Sequence, residues 1–392
     1  MRVLRSHASV TPITVRRLQW TELVDLLASG VRRNELGGPE GELLVVGRPT
    51  RAPEPATQVA LAEAVAALPV VVAVEADGRG ASPGTGETSG EVGAEAIVDL
   101  AVDDPVLDLA VDDPVLDLAV ERVADVVVDP GATAAVVDRF EQAPVACTAL
   151  ALLLRHHAGR SVADGLVAES AVYSTLQAGP EFATWQLRRP RRSHPEPAPD
   201  ATPEVDAPRV QVARHGDELV VTLDRPAVRN ALDAAMRDEL WDAFAVAVAD
   251  PGLSVRWRGS GGSFCAGGDL DEFGSRSDPA RAHLIRLTRS LGRVVHDLAD
   301  RTTVELHGAC VGSGIELPAF AGRVVATPDT TISLPEPAFG LIPGAGGTVS
   351  LPRRIGRHRT AWLALTGASL DAATARSWGL VDEIVAAHPD PR

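Results

Sequence analysis

The chain has 392 residues, a formal net charge of −16 and only three cysteines. A chain of this length can form two domains that each bury a core. The acidity argues against nucleic acid as a partner, because binding to a phosphate backbone depends on a basic surface. No apolar stretch is long enough to span a bilayer, and the sparse, odd number of cysteines indicates a reducing compartment, so we predict a cytoplasmic protein.

The first third of the chain predicts an α/β layer. Apolar runs at 43–47 and 69–76 are typical of buried strands, and a helical pattern at 58–68 separates them. A nine-residue repeat then fills 101–118 with regularly spaced aspartates. These aspartates lack the central glycine and the terminal glutamate of a calcium loop, so we predict no metal site there.

The middle of the chain changes from helical to proline-rich. The pattern of apolar residues over 132–189 predicts several helices. The following stretch, 190–208, is rich in proline and poor in apolar residues, which predicts a semi-rigid linker. We therefore expect an N-terminal module at 1–189 and a second domain at 209–392.

The second domain alternates strands with helices. A strand is predicted at 218–223, and Asp233 is a suitable N-cap for a helix that runs to Ala249. Further strands are predicted at 254–258, 302–307 and 322–326, and further helices at about 280–299, 314–321, 358–366 and 371–378.

Two glutamates stand in Gly-rich, otherwise nearly uncharged turns of this second domain. Glu316 follows a Gly-Ser-Gly turn, and Glu336 lies between two prolines. Carboxylates in apolar surroundings are costly unless they are paired, hydrogen-bonded or used. Glycines allow backbone N–H groups to approach a ligand closely. The pattern indicates an acid/base site beside an oxyanion hole.

Several motifs in the same order resemble the enoyl-CoA hydratase/isomerase (crotonase) superfamily. They are Arg225-Pro226 with Asn230-Ala231-Leu232, FCAGGDL at 264–270, HGACVGSGIEL at 307–317, LPEPAFGLIPGAGGT at 334–348 and TGASLDAATARSWGLVDEIV at 366–385. The resemblance implies an α/β fold with a crotonase-like ββα superhelix in the C-terminal half.

The resemblance also implies a role for individual residues. Glu316 and Glu336 match the paired catalytic glutamates, and the N–H groups of Gly268 and Ser313 match the oxyanion hole. Ser313 stands where glycine is usual, and Asp271 stands where the family often has lysine. The implied substrate-binding residues are Arg225, Ala266, Asp269, Leu270, Gly312, Pro343 and Gly344.

The N-terminal module resembles parts of the same superfamily in another order. The segment 161–192 is similar to the family's C-terminal helices, which an L-x-x-E-S motif marks, and the second domain ends without such helices. We therefore interpret 43–128 as a degenerate crotonase core and 132–192 as its helical tail. We expect this tail to pack on the catalytic core at 217–385.

The resemblance implies an enoyl-CoA hydratase that adds water to an α,β-unsaturated acyl thioester by a two-glutamate acid/base mechanism. The alternatives are an isomerase, a dehydratase of a secondary-metabolite pathway, or a non-catalytic scaffold. We expect no metal and no redox cofactor. The substrate is a thioester of coenzyme A or of carrier-protein pantetheine, which makes an acyl carrier protein an alternative partner. The family's assembly implies a homotrimer or a dimer of trimers.

Overall fold

The computed structural model describes residues 14–29, 36, 41–49, 54–66, 68–75, 120, 122–189, 207–275 and 278–386. The predicted repeat at 101–118 lies outside these residues, and so does nearly all of the predicted linker. The division into domains stays a prediction. Within the described ranges, no helix is both long enough and apolar enough to cross a membrane.

A four-stranded parallel sheet forms the first layer of the molecule. Its strands, in spatial and in chain order, are β1 Thr14–Leu18, β2 Glu42–Gly47, β3 Val70–Glu75 and β4 Val126–Val128. Two helices, α1 Trp20–Ala28 and α2 Pro55–Ala66, cover one face. Strands β2 and β3 are almost continuously apolar because both of their faces are buried.

Side chains of this sheet alternate between two hydrophobic clusters. Leu44 and Val72 point to the cluster that contains α1 and α2, whereas Leu43 and Val71 join the large core of the molecule. The predicted strands and helix of this region are thus present with ends shifted by a few residues.

A buried ion pair fastens the sheet to the helices that follow it. Asp125, just before β4, accepts hydrogen bonds from Nε and Nη2 of Arg155 at 2.7 and 2.5 Å and from the Val72 N–H at 2.8 Å. Arg155 also donates to the carbonyls of Val65, Leu68 and Val70. Both charges are therefore well hydrogen-bonded, as buried charges must be.

The predicted helical segment consists of α3 Pro130–Gln142, α4 Pro144–Arg155, α5 Val162–Gln177 and α6 Pro180–Arg188. Local sequence signals determine where one helix of this segment ends and the next begins. Asp129 caps α3 by accepting from two backbone N–H groups, and Ser161 caps α5. Proline occupies the first turn of α3, α4 and α6, where its missing N–H costs nothing.

The C-terminal half contains two sheets. Its strands are β5 Val210–His215, β6 Glu218–Leu223, β7 Ser254–Gly259, β8 Thr302–Leu306, β9 Ala309–Val311, β10 Arg323–Ala326, β11 Thr331–Ser333, β12 Ser369–Asp371 and β13 Glu383–Ile384. Six strands pair in the order β13-β10-β8-β7-β6-β5, in which only β5 is antiparallel to its neighbour. The short sheet β12-β11-β9 stands beside the turns that carry the two predicted glutamates.

The helices of this half are α7 Ala234–Ala249, α8 Pro279–Thr288, α9 Leu291–Asp297, α10 Ser313–Glu316, α11 Gly347–Thr366 and α12 Ala372–Ser377. The prediction of one helix over 280–299 was wrong, because Ser290 caps a second helix. The helix predicted at 358–366 is present as the part of α11 that follows a break at Gly356, whose φ is 78°, whereas the part from Gly347 to the break was not predicted. Strand β5 was missed because five of its six side chains are exposed at a sheet edge.

One hydrophobic core joins both halves of the chain. It contains Phe140, Leu150 and Phe182 from the helical segment together with Phe264 and Trp362 from the C-terminal half. Helix α5 packs against α8, α9 and α11, and α3 and α4 pack against α11. The helical tail therefore lies on the C-terminal half, as the sequence analysis expected.

Candidate active site

A cavity of about 350 Å³ lies between α5 and the C-terminal half. Turns that follow the strands form one side of it, and α5 with α8 forms the other. The cavity brings together the four predicted catalytic and oxyanion residues and two of the predicted substrate-binding residues. These are Glu316, Glu336, Gly268, Ser313, Asp269 and Gly344.

Glu316 is held by the Gly-rich turn that precedes α11. Its Oε2 accepts hydrogen bonds from the N–H groups of Ala345 at 2.8 Å and Gly347 at 2.9 Å. A Cβ at position 347 would lie 2.8 Å from this oxygen, so only glycine allows the approach. The side chain is 2% exposed, which means that these N–H groups replace water as its hydrogen-bond partners.

A third carboxylate binds the same turn from the opposite side. Glu169 of α5 accepts hydrogen bonds from the Gly346 N–H at 2.7 Å, from the Thr348 N–H at 2.9 Å and from the Thr348 hydroxyl at 2.7 Å. Four consecutive N–H groups are thus shared alternately between Glu316 and Glu169. The helical segment therefore helps to fix the turn that positions Glu316.

Glu336 has a different environment from Glu316. It begins a 3₁₀ turn, Glu336–Phe339, and its Oε2 is buried without a hydrogen-bond partner among the described residues. A Cβ on Gly312 would collide with Oε1 of Glu336 and would lie 3.7 Å from Oε1 of Glu316. Both carboxylates therefore converge on one point of the backbone, where glycine at φ 50° makes room for them.

Burial raises the pKa of all three carboxyl groups. Desolvation is the largest cause in each case. The pKa of Glu316 is raised to about 7, because the hydrogen bonds from Ala345 and Gly347 partly offset desolvation. The pKa of Glu169 is raised to about 8, with the charge of Glu316 as the second cause. The pKa of Glu336 is raised well above its ordinary value by burial and then by Glu316.

Gly268 and Ser313, whose N–H groups are the predicted oxyanion hole, line the same cavity. Gly268 follows Cys265, whose segment pairs with β9 through the Cys265 N–H and carbonyl. Ser313 is the first residue of α10, so its N–H has no acceptor within the helix. In the described part of the chain neither N–H has a hydrogen-bond partner. These donors are available to a ligand oxygen.

Five predicted substrate-binding residues do not line the cavity. They are Arg225, Ala266, Leu270, Gly312 and Pro343. The guanidinium of Arg225 is bound to Asp233 at 3.0 Å and to Asp269 at 3.4 Å. Arg225 holds together the turns that lead to Gly268, and its contact with the substrate stays a prediction.

The carboxylate of Asp271 forms an ion pair with Arg189 of the N-terminal half. Nη2 of Arg189 lies 2.5 Å from Asp271 Oδ1, and Nη1 donates to the carbonyl of Leu270 at 2.5 Å. Gln186 of α6 also donates to the carbonyl of Phe273 at 3.0 Å. The negative charge at this end of the cavity is therefore smaller than the sequence suggests.

Sequence reasoning missed the cavity residues contributed by α5. Glu169 belonged to a recognised helix motif but was given no role. A signal was present, because Glu169 shares its helix face with Leu166, Tyr173 and Leu176, which are all buried. An ionisable residue on an apolar face needs a partner.

The C-terminal half of the chain is similar to known proteins. The family model described as enoyl-CoA hydratase/isomerase matches residues 217–389. The 2,3-dehydroadipyl-CoA hydratase of Escherichia coli (strain K12) is 33% identical over 174 residues, which cover 44% of this chain and 68% of that protein. A mevalonyl-coenzyme A hydratase of Beauveria bassiana (strain ARSEF 2860) is 32% identical over 181 residues, covering 43% of this chain and 63% of that protein.

A solved structure has similar coverage. The crystal structure of enoyl-CoA hydratase from Thermoplasma volcanium GSS1 is 34% identical in sequence, with a TM-score of 0.43. The match covers 46% of this chain and 72% of that one.

Proposed function

Because the chain belongs to the enoyl-CoA hydratase/isomerase family of enzymes, we propose that it adds water across the double bond of an α,β-unsaturated acyl thioester. The observation that carries the proposal is the convergence of Glu316 and Glu336 in one cavity with different hydrogen bonding. Hydration needs one group that takes a proton and another that gives one, and two carboxyls in unlike environments supply both.

The different hydrogen bonding of the two glutamates indicates which one acts as the base and which one acts as the acid. Two backbone N–H groups stabilise the ionised form of Glu316, so it acts as the base that takes a proton from water as the oxygen attacks C3. Glu336 lacks such support at Oε2 and keeps its proton, which it gives to C2. The N–H groups of Gly268 and Ser313 donate to the thioester oxygen and stabilise the enolate between these steps.

Replacing either glutamate by glutamine tests this mechanism. Glu316→Gln and Glu336→Gln each remove one proton-transferring group and should reduce kcat by ~10²-fold or more. The measurement is the loss of absorbance of the conjugated enoyl thioester, with crotonyl-CoA and longer enoyl-CoAs. Glu383→Gln, which changes an exposed glutamate of β13, is the matched control. Near-full activity in either site variant would disprove the two-glutamate mechanism.

The raised pKa values also predict a bell-shaped pH profile. The value of kcat/KM should rise with pH as Glu316, with a pKa of about 7, loses its proton and becomes a base. It should fall again at higher pH when Glu336 ionises and can no longer donate. A rate that does not change between pH 5 and pH 8 would contradict this assignment.

The group that carries the acyl thioester and the oligomeric state of the protein are further proposals. Coenzyme A is the simplest carrier, and pantetheine on an acyl carrier protein presents the same thioester. Assembly as a trimer or a dimer of trimers stays a prediction from the resemblance. The proposed steps are proton transfers between water, substrate and two carboxyl groups, and the chain supplies both groups.

A further inference from the structure

The wall of the cavity formed by α5 and α8 carries a polar patch that the proposed proton transfers do not use. Ser170, Tyr173 and Gln177 of α5 and Arg286 of α8 all line the cavity. Within this patch the guanidinium of Arg286 lies over one face of the Tyr173 ring, with Cζ 4.8 Å from the ring centroid. On the other side a Cβ at Gly344 would collide with the same ring. Tyr173 thus connects the polar patch to the turn that holds Glu316.

Arg286 is held in this patch by neutral acceptors. Its Nε donates to Ser170 Oγ at 3.1 Å, and Nη1 donates to Gln177 Oε1 at 3.3 Å. Its Nη2 donates to the carbonyl of Ser170 at 3.3 Å and to Ser174 Oγ. A guanidinium has five N–H donors, so one N–H on Nη1 has no acceptor among the described residues.

The charge of Arg286 is not balanced by a neighbouring acid. In the described ranges no carboxylate lies within 4.0 Å of its guanidinium. The other two arginines that line the cavity do have such partners: Arg237 pairs with Asp238, and Arg289 pairs with Asp242. Arg286 is also half-buried, and burial lowers its pKa. A cation removed from water in this way gains free energy when an anion binds beside it.

The glutamates of the site do not cancel this charge. Glu169 is the carboxyl group whose charge acts on Arg286, but its own pKa is raised to about 8 and that of Glu316 to about 7. A substantial fraction of the cluster is therefore protonated at neutral pH. An anion in the cavity meets a fixed positive charge at Arg286.

We propose that Arg286 binds a carboxylate at the far end of the acyl chain, so that the preferred substrates are thioesters of dicarboxylic acids. This inference rests on the proposed function, because it assumes that the cavity accepts an acyl thioester. The remaining N–H of Nη1 can donate to one carboxylate oxygen, and the charges on both partners strengthen this hydrogen bond. Ser170, Ser174 and Gln177 fix the orientation of the guanidinium from α5, so that this N–H selects the charged chain.

Saturated acyl thioesters have no double bond to hydrate. Their binding therefore tests the inference separately from the proposed reaction. Isothermal titration calorimetry of the full chain would compare succinyl-CoA with butyryl-CoA, glutaryl-CoA with pentanoyl-CoA, and adipyl-CoA with hexanoyl-CoA. Each pair differs only in the terminal group. At least one pair should show ~10-fold tighter binding of the carboxylate, the effect typical of a charge-assisted hydrogen bond.

Arg286→Met should remove this preference. The affinity for the carboxylated thioester should fall ~10-fold or more, whereas the affinity for its alkyl counterpart should stay within about threefold. Arg293→Met, which removes an exposed arginine of α9 that pairs with Asp297, should change neither affinity. Arg286→Lys keeps the charge without the planar fork and should retain part of the preference, which keeps the test valid if Arg286→Met does not fold.

The outcomes separate this inference from the proposed function. The absence of a charge preference in all three pairs overturns the inference, and so does an equal loss for both members of a pair in Arg286→Met. An equal loss would assign the guanidinium to the coenzyme or to the packing of α5 on α8. A charge preference without hydration of any enoyl thioester would overturn the proposed function alone. Hydration without a charge preference would overturn the inference alone.

Discussion

The first half of the chain contains two regions that relate differently to the active site. The four-stranded sheet with α1 and α2 has a hydrophobic cluster of its own, and no described residue of β1–β4 lines the cavity. The helices α3–α6 belong to the core of the C-terminal half. They supply Glu169 and Tyr173 to the cavity, and Arg189, which follows α6, pairs with Asp271.

The difference shows that neighbours in sequence need not serve the same part of a molecule. The sheet is bound to the rest by one of its faces and by the ion pair between Asp125 and Arg155. The helical segment instead completes a site whose other residues follow in the chain only after residue 206. We therefore expect changes in the helices to affect catalysis and changes in the sheet to affect stability.

Removal of both N-terminal regions should have the largest effect. A fragment of residues 206–392 loses the helices that cover α11 and α8, which exposes an apolar surface larger than monomeric proteins usually tolerate. We expect this fragment to be insoluble or inactive in the absorbance assay. Residues 123–192, produced as a separate chain, should restore soluble, active protein. A fully active fragment 206–392 on its own would show that the helices are dispensable.

Replacement of Glu169 by glutamine should have an intermediate effect on activity. The amide leaves one N–H of the 346–348 turn without an acceptor, which costs ~1–3 kcal/mol of stability. The loosened turn carries the N–H groups that stabilise the ionised form of Glu316, so the pKa of Glu316 should rise. The rising limb of the pH profile of kcat/KM should then move to higher pH.

A second glutamate of the helical segment provides a matched control. Glu181 accepts the N–H groups of Val145 and Ala146 at the start of α4, as Glu169 does at the start of α11, but it does not line the cavity. Glu181→Gln should reduce the melting temperature and leave the pH profile unchanged. Identical pH profiles for both variants would show that Glu169 has only a structural role.

The smallest effect on activity is expected in the sheet. Leu44 is fully buried in the cluster with α1 and α2. Leu44→Ala should reduce the free energy of unfolding by ~2–5 kcal/mol, the usual range for a buried leucine. We expect kcat/KM of the folded variant to equal that of the wild type. A change in kcat/KM greater than about threefold would show that the sheet and the cavity are coupled.

The sequence by itself determined the local parts of the site. The order of the motifs and the placing of Glu316 and Glu336 in Gly-rich turns were enough to predict two carboxylates beside free N–H groups. Strand β6 and helix α7 were predicted with their observed ends, because a short apolar run and an N-cap aspartate are local signals. Local signals were insufficient where prolines and glycines stand inside a helix, as in α11.

The tertiary structure alone decided which distant groups share the cavity. Glu169 and Thr348 are 179 positions apart, and their hydrogen bond exists only because α5 packs on α11. Likewise the ion pairs of Arg225 with Asp233 and Asp269 were not predicted, because only the fold brings these carboxylates to its guanidinium. Burial and long-range charge pairing depend on how layers pack, and the periodicity of one segment does not encode the partner that another segment will bring.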